Sequence, residues 1–372
     1  MRELAETLVR PLDLARTAPF WSWLAPAAAV LALALLHGRS SEISIALFLG
    51  ALLIPAVLAA VHHAEVIAVR VGEPFGTLVL ALAVTVIECA LIVTLMLAKP
   101  DTSAALLRDT VYSAVMIILA GVVGLCITVG AARHHVQRFG LHGVSAATTT
   151  LAALAVLVLV LPNFTTSTMG PTYTSSQLIL VGAASLVLWL LFVVVQTVRH
   201  RDYFLPEDGG ADDHHDAGSI TASQMWLALG LLLVSLVTVV LLAKTLSDPL
   251  AAAIVKSGAP LSAVGVVIAG VVLLPEGIAA VRAARNNRLQ TSLNLALGSA
   301  LATIGLTVPI IAGLSVFFDW TLVLGLDAKG ITLLSLTLLA SSMSLSTGRT
   351  TVLQGAVHLV IFAFFLFTSF AP

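Results

Sequence analysis

Long apolar runs broken by short polar stretches occupy this chain from residue 19 onward. An α-helix needs roughly 20 predominantly apolar residues to cross the hydrocarbon core of a bilayer. By that rule the pattern predicts spans over 19–37, 43–69, 74–98, 108–131, 144–162 and 177–198. After a polar break it predicts 224–244, 250–281, 291–317, 330–345 and 351–371, with 320–330 readable as part of a longer, broken helix. The runs are continuous and lack period-two alternation, which excludes a membrane β-barrel. The expected fold class is an all-α polytopic membrane protein with about 11 transmembrane helices.

The long polar stretch LPEDGGADDHHDAGSITAS (205–223) separates helices two to six from helices seven to eleven. Five is an odd number, so the two sets enter the membrane from opposite faces and form inverted repeats, with the first helix as an extra. The expected organisation is 1–42 as N-terminal segment and extra helix, 43–198 as first repeat, 199–223 as acidic linker and 224–372 as second repeat.

Composition points the same way: 59% of residues are hydrophobic and 10% charged, where a soluble domain carries about 25% charged residues. A net charge of -1 gives no footprint for nucleic acid. The two cysteines, Cys89 and Cys126, fall inside predicted spans and offer neither a disulfide framework nor a zinc knuckle. The opening MRELAETLVRPLDLARTA lacks an apolar region followed by a cleavage site and reads as a cytoplasmic amphipathic start. Of the 18 lysines and arginines, twelve lie in segments on the side of the N-terminus and six on the other. The positive-inside rule then places the N-terminus in the cytoplasm and the C-terminus outside. Trp21 and Trp23 read as interfacial anchors.

Two acids break the apolar pattern at depth: Glu88 in GTLVLALAVTVIECALIVTLMLA and Glu276 in VVIAGVVLLPEGIAAV. An ionisable group there costs several kcal/mol unless partner or water compensates it, so each is a functional candidate. Both occupy the second helix of their repeat, and small polar residues follow in the next helix: Thr110 to Ser113, and Asn294 to Ser299. Gly298, Ser299, Ala302 and Gly305 form a ridge that permits close helix approach. Thr85 lies one turn before Glu88 on the same side. Pro275 removes a helix hydrogen bond and frees a carbonyl near Val271, a ready oxygen ligand. Carboxylate, hydroxyl and carbonyl oxygens suit hard cations such as calcium. The same carboxylates can hold protons instead, since burial and like-charge proximity favour the neutral form. A site that takes one or the other, never both, is the physical basis of antiport. The expected cation/proton-binding set is Glu88, Glu276, Thr85, Ser113 and Ser299, with Glu88 and Glu276 as the metal-contacting pair. The plain alternative is helix packing: a lone membrane glutamate can be a structural hydrogen-bond partner, and Thr110, Ser113, Asn294 and Ser299 can each serve as interhelical polar contacts.

Other polar features carry weaker signals. Glu65 and Glu73 flank the entry to the Glu88 helix as vestibule candidates. The linker acids Glu207, Asp208, Asp212, Asp213 and Asp216 form a negative patch that collects or senses cations, or is simply a solvated linker; they lack the EF-hand spacing. The pairs His62–His63, His134–His135 and His214–His215 are adjacent on the chain and point apart, unlike an i, i+4 chelating pair. His62 or His63 with Glu65 is a candidate pH sensor.

GEPFGTLVLALAVTVIE (72–88), LPNFTTST (161–168), EDGGADDHHD (207–216) and LPEGIAAVRAARNNRLQTSLNLALGSALATIGLTVP (274–309) resemble the cation/proton exchanger branch of the calcium/cation antiporter superfamily, and within it the bacterial calcium (sodium, potassium)/proton antiporters. The resemblance covers nearly the whole chain. It implies one essential acid per repeat, at Glu88 and Glu276, with polar residues near Ser113 and Ser299. The chain departs from the Gly-Asn-Ala-x-Glu context of the calcium/proton pattern: TVIE and LLPE stand there, and Ala302 replaces an expected glutamine. Fewer amide oxygens point toward a monovalent cation or mixed specificity. The expected activity is secondary active antiport, exporting Ca2+ and/or Na+ or K+ against H+. A passive cation channel is the alternative, and an intramembrane metallohydrolase lacks the His and acid ligands it would need. The expected partners are inorganic cations, protons and the lipid bilayer, with a homo-oligomer open, no nucleic acid, and no cofactor beyond the transported ions.

Overall fold

A computed structural model describes residues 18–36, 42–72, 75–98, 104–205, 220–260 and 262–371. Among the described residues the chain is built almost wholly of helices: α1 (Phe20–Leu35), α2 (Ile43–Val71), α3 (Phe75–Ala98), α4 (Leu106–His134), α5 (Leu141–Leu159), α6 (Ser175–Arg199), α7 (Ala222–Lys256), α8 (Ala263–Arg285), α9 (Leu289–Phe318), α10 (Ala328–Leu345) and α11 (Val352–Phe370). Among the described residues nine of these, all except α1 and α3, are long and apolar enough to cross a membrane, and α1 and part of α3 are shorter apolar helices.

The predicted spans differ most from the observed ones around residue 250. Pro249 does not end α7, which continues to Lys256 and takes in the first turns assigned by sequence to the next helix. The stop is a residue pair further on. Gly258 adopts φ +80°, and the Ala259 amide donates to the Ile254 carbonyl at 3.2 Å, closing a Schellman turn before Pro260. At the other end of the chain, 320–330 is not a broken helix. Asp319 ends α9 in the left-handed conformation (φ 56°), and the Asp327 side chain accepts from the Gly330 amide at 2.7 Å to start α10. Capping boxes of Thr174 with Gln177 and Thr351 with Gln354 start α6 and α11.

The chain groups into two compact units, 1–87 with 210–249 and 88–209 with 250–372. In the first, α1 packs on α2, and the buried His63 ring sits 3.2 Å from the Ser22 carbonyl. In the second, α8 packs against α4 and α9, α11 against α4, and α9 against α5 and α6. Two loop pairings in this unit reveal its symmetry. Strand β1 (Gln137–Arg138), between the third and fourth helices of the first five-helix run, pairs antiparallel with β2 (Arg349–Thr350), between the fourth and fifth of the second run. On the opposite face the roles are exchanged: Thr172, between the fourth and fifth helices of the first run, bridges to Val323, between the third and fourth of the second. Swapped loop positions on opposite faces are what inverted repeats related by a two-fold axis produce.

The two faces of this unit differ in charge. The β1–β2 face carries Arg133, Arg138, Arg199, Arg201, Arg282, Arg285, Arg288 and Arg349, whereas Arg108, Lys256 and Lys329 are the described cations of the other face.

Close helix approach depends on glycine where α11 meets α4. A methyl group added at Gly355 would lie 2.7 Å from the Thr128 backbone nitrogen, which has no room to yield. Gly313 of α9 has nothing within 4 Å. Overpacking of this kind costs roughly 1–3 kcal/mol. Gly355→Ala is expected to lower the thermal midpoint of the detergent-purified protein by several degrees, while Gly313→Ala leaves it unchanged or higher, as read by melting of the gel-filtration peak.

Candidate functional site

Glu88 and Glu276 are the buried acids among the described residues, 2% and 4% exposed, and no described lysine or arginine is buried with them. Glu88 lies just past the middle of α3 and Glu276 on α8 directly after Pro275, through which that helix runs uninterrupted. The two side chains are close enough to interact electrostatically.

Both draw their hydrogen bonds from one helix. Ser299 Oγ of α9 donates to Glu276 Oε2. One turn later Thr303 Oγ1 donates to Glu88 Oε2 at 2.9 Å. One turn beyond that, Cys89 Sγ donates to Thr307 Oγ1 at 3.4 Å. Ser299, Thr303 and Thr307 recur at i, i+4 and i+8, so they form one hydroxyl row on one side of α9. The row is buried because small residues let neighbours close in: Ala300 and Ala302 are fully or almost fully covered, and a side chain at Gly305 would run into Trp189 of α6. Each carboxylate thus has one oxygen held by a hydroxyl. The other oxygen, Oε1 of Glu88 and of Glu276, has no hydrogen-bond partner among the described residues.

The helix backbone changes pitch at the same level. α9 turns into a π-helix over Thr303–Thr307, and α4 does so over Ile117–Val122. Each π segment starts four residues after the serine at the matching place in its run, Ser299 or Ser113. Such bulges insert an extra residue into the turn and are frequent at functional sites.

Not every residue named from sequence comes to the carboxylates. The Thr85 hydroxyl donates to the Ala81 carbonyl at 2.8 Å, Thr110 to Leu106 at 2.8 Å and Ser113 to Asp109 at 2.5 Å. All three bond back one turn along their own helix, a common alternative for buried hydroxyls. Asn294 is committed elsewhere: its Nδ2 donates to the Phe204 carbonyl at 2.6 Å and its Oδ1 accepts from Gln290 at 2.8 Å. Thr303 is the residue that sequence reading missed, although its i+4 spacing from Ser299 was a visible signal. Glu65 is exposed on α2. Glu73, Glu207, Asp208, Asp212, Asp213, Asp216 and the His214–His215 pair lie outside the described residues. Among the described residues no three His, Cys, Asp or Glu side chains form a metal cluster. Any cation here would be held by the two carboxylates with hydroxyl and carbonyl oxygens, a hard-cation donor set.

Comparison with known proteins agrees with this architecture. The family described as "Sodium/calcium exchanger protein" matches residues 41–198 and 227–371. The chain is 48% identical over 357 residues to "Putative ionic transporter y4hA" of Sinorhizobium fredii, covering 95% of this chain and 97% of the relative. It is 34% identical over 351 residues to "Sodium-potassium/proton antiporter ChaA" of Escherichia coli, covering 92% and 94%. The solved structure of native YfkE superposes with a TM-score of 0.69 at 16% identity, covering 94% of this chain and all of that one, a likeness of fold.

Removing a donor from a buried charged carboxylate costs about 1–3 kcal/mol. Thr303→Val and Ser299→Ala are each expected to lower thermal stability above neutral pH, with a smaller loss in acid, where a protonated carboxyl no longer needs the donor. Equal losses at both pH values would contradict the charged-acceptor reading.

Proposed function

The chain belongs to the sodium/calcium exchanger protein family, and from that premise we propose that it is a secondary active cation/proton antiporter whose exchange site is the Glu88–Glu276 pair. The observation that carries this reading is the free oxygen on each buried carboxylate. Two negative charges without a buried counter-ion are costly, and either a bound cation or protons removes that cost. Occupancy by one excludes the other. Coupling follows when the site opens to one face at a time only after it is loaded. Ser299 and Thr303 supply further oxygens to a dehydrated cation, and the π turn at Thr303 gives the backbone carbonyls of α9 freedom to add more.

The donor set near the carboxylates is hydroxylic rather than amide, and a relative sharing a third of the sequence is described as a sodium-potassium/proton antiporter. Both favour Na+ and K+ as cargo, with Ca2+ also accommodated by the paired charge. The Arg-rich face of the second unit faces the cytoplasm by the positive-inside rule. On this reading the N-terminus is inside, the C-terminus outside and the location a bacterial inner membrane, with cations extruded as protons enter. No cofactor takes part beyond the transported ions. Two carboxylates carry at most two protons, so exchange of one divalent cation through this pair moves no net charge, whereas exchange of one monovalent cation for two protons does.

In reconstituted vesicles with a preset pH gradient, added Na+, K+ or Ca2+ is expected to dissipate the gradient, and Glu88→Gln or Glu276→Gln to abolish the response in protein that still folds. Full activity in either variant would contradict the site. Thr303→Val is expected to raise the half-effective cation concentration about tenfold, the equivalent of roughly 1.4 kcal/mol. Cation flux without proton counterflow would favour a channel instead.

A further inference from the structure

A cavity of about 610 Å³ lies in the second unit between α4 and α8, away from the carboxylate oxygens. Its long wall is apolar, with Leu125, Leu274, Ile278 and Val281, and Gly270 and Gly277 leave the floor without side chains. One end closes on Arg133, Arg282, Arg285 and Asn286, and no acidic residue is among the described residues that line it. The His134 ring, 3.0 Å from the Arg285 carbonyl, ties the two helix ends together at that point. Leu125, Leu274 and Ile278 are more than two-fifths exposed although they sit at membrane depth.

These features identify a ligand by its chemistry. Two helix C-termini converge at the basic end, each contributing roughly half a negative charge, so three guanidiniums leave the end net positive by about two. Guanidinium groups match phosphate oxygens in bidentate pairs. From Gly270 to Arg285 the groove follows α8 for about 22 Å at 1.5 Å per residue, more than half of a hydrocarbon core of about 30 Å. It therefore runs from headgroup level to past the depth of one leaflet. A free phosphate would leave the apolar length bare. A zwitterionic lipid would fill that length but leave the arginines without a net negative partner.

We propose that this groove is a binding site for one anionic phospholipid, with its phosphate on Arg133, Arg282 and Arg285 and an acyl chain along Leu274, Ile278 and Val281. Basic pockets between membrane helices on the cytoplasmic side are suited to such headgroups. The bound chain borders Gly277, the residue after Glu276, and Ile117, the first residue of the π turn in α4. Occupancy then stiffens the helix that carries one of the two carboxylates. The proposal does not depend on which ion is transported.

Native mass spectrometry of the detergent-purified full chain tests it, with phosphatidylglycerol, phosphatidylcholine and inorganic phosphate as probes. The wild type is expected to retain one phosphatidylglycerol that the triple variant R133Q/R282Q/R285Q holds about tenfold more weakly. Ile278→Trp, which fills the groove and leaves the arginines in place, is expected to lose it too, and excess inorganic phosphate not to displace it. Equal retention by wild type and triple variant overturns the site. So does retention of phosphatidylcholine as strong as phosphatidylglycerol, or unchanged retention in Ile278→Trp, which would mean an anion site on the arginines alone.

Discussion

Two carboxylates are buried in an apolar helix bundle with no buried arginine or lysine among the described residues to neutralise them, and much of the surrounding structure answers to that constraint. A charge at this depth is tolerated only with donors or a counter-ion. The donors come from α9, whose row of Ser299, Thr303 and Thr307 meets Glu276, Glu88 and Cys89 in turn. That row reaches its targets because alanines and glycines flank it and bring α6 and α8 close. Half of each carboxylate remains open to an ion or a proton. Full satisfaction by protein donors would make the pair a structural feature, and fewer donors would make it too costly to bury.

The two halves of the chain are related by an exchange of loop pairings on opposite faces, yet their chemistry is not equal. Ser299 reaches a carboxylate, whereas Ser113 at the matching place bonds to its own helix. The π turns four residues later persist in both halves. Backbone irregularity is therefore the shared feature, and the hydroxyl chemistry is concentrated in α9, which serves both acids. One helix thus contacts both carboxylates, and α9 cannot shift at Ser299 without moving Thr303.

Charge is distributed with the same economy. Arginine is nearly absent from one face of the second unit and dense on the other, where helix C-termini bring their partial negative charge. Three of those arginines close the groove between α4 and α8, next to the backbone that carries Glu276. The arginine-lined end of the groove and the buried Glu276 thus lie on the same helix, α8.

The helices, their number and the two out-of-place acids were legible in the residue pattern because membrane burial imposes a length of about 20 apolar residues and makes a glutamate at depth conspicuous. The inverted layout followed from parity alone. Local pattern misled over 244–250, where the predicted break between spans is absent: the helix runs on through Pro249 to Lys256, and the left-handed Gly258 follows its end. It also could not say which hydroxyl meets which acid. Periodicity assigns Thr85 to the same side of α3 as Glu88, and Ser113 to the helix that follows, yet both turn back to their own carbonyls. Glu88 is met instead by Thr303, 215 positions away. Spacing along a helix establishes which residues share a face, and only the packing of helices from distant parts of the chain establishes what that face meets.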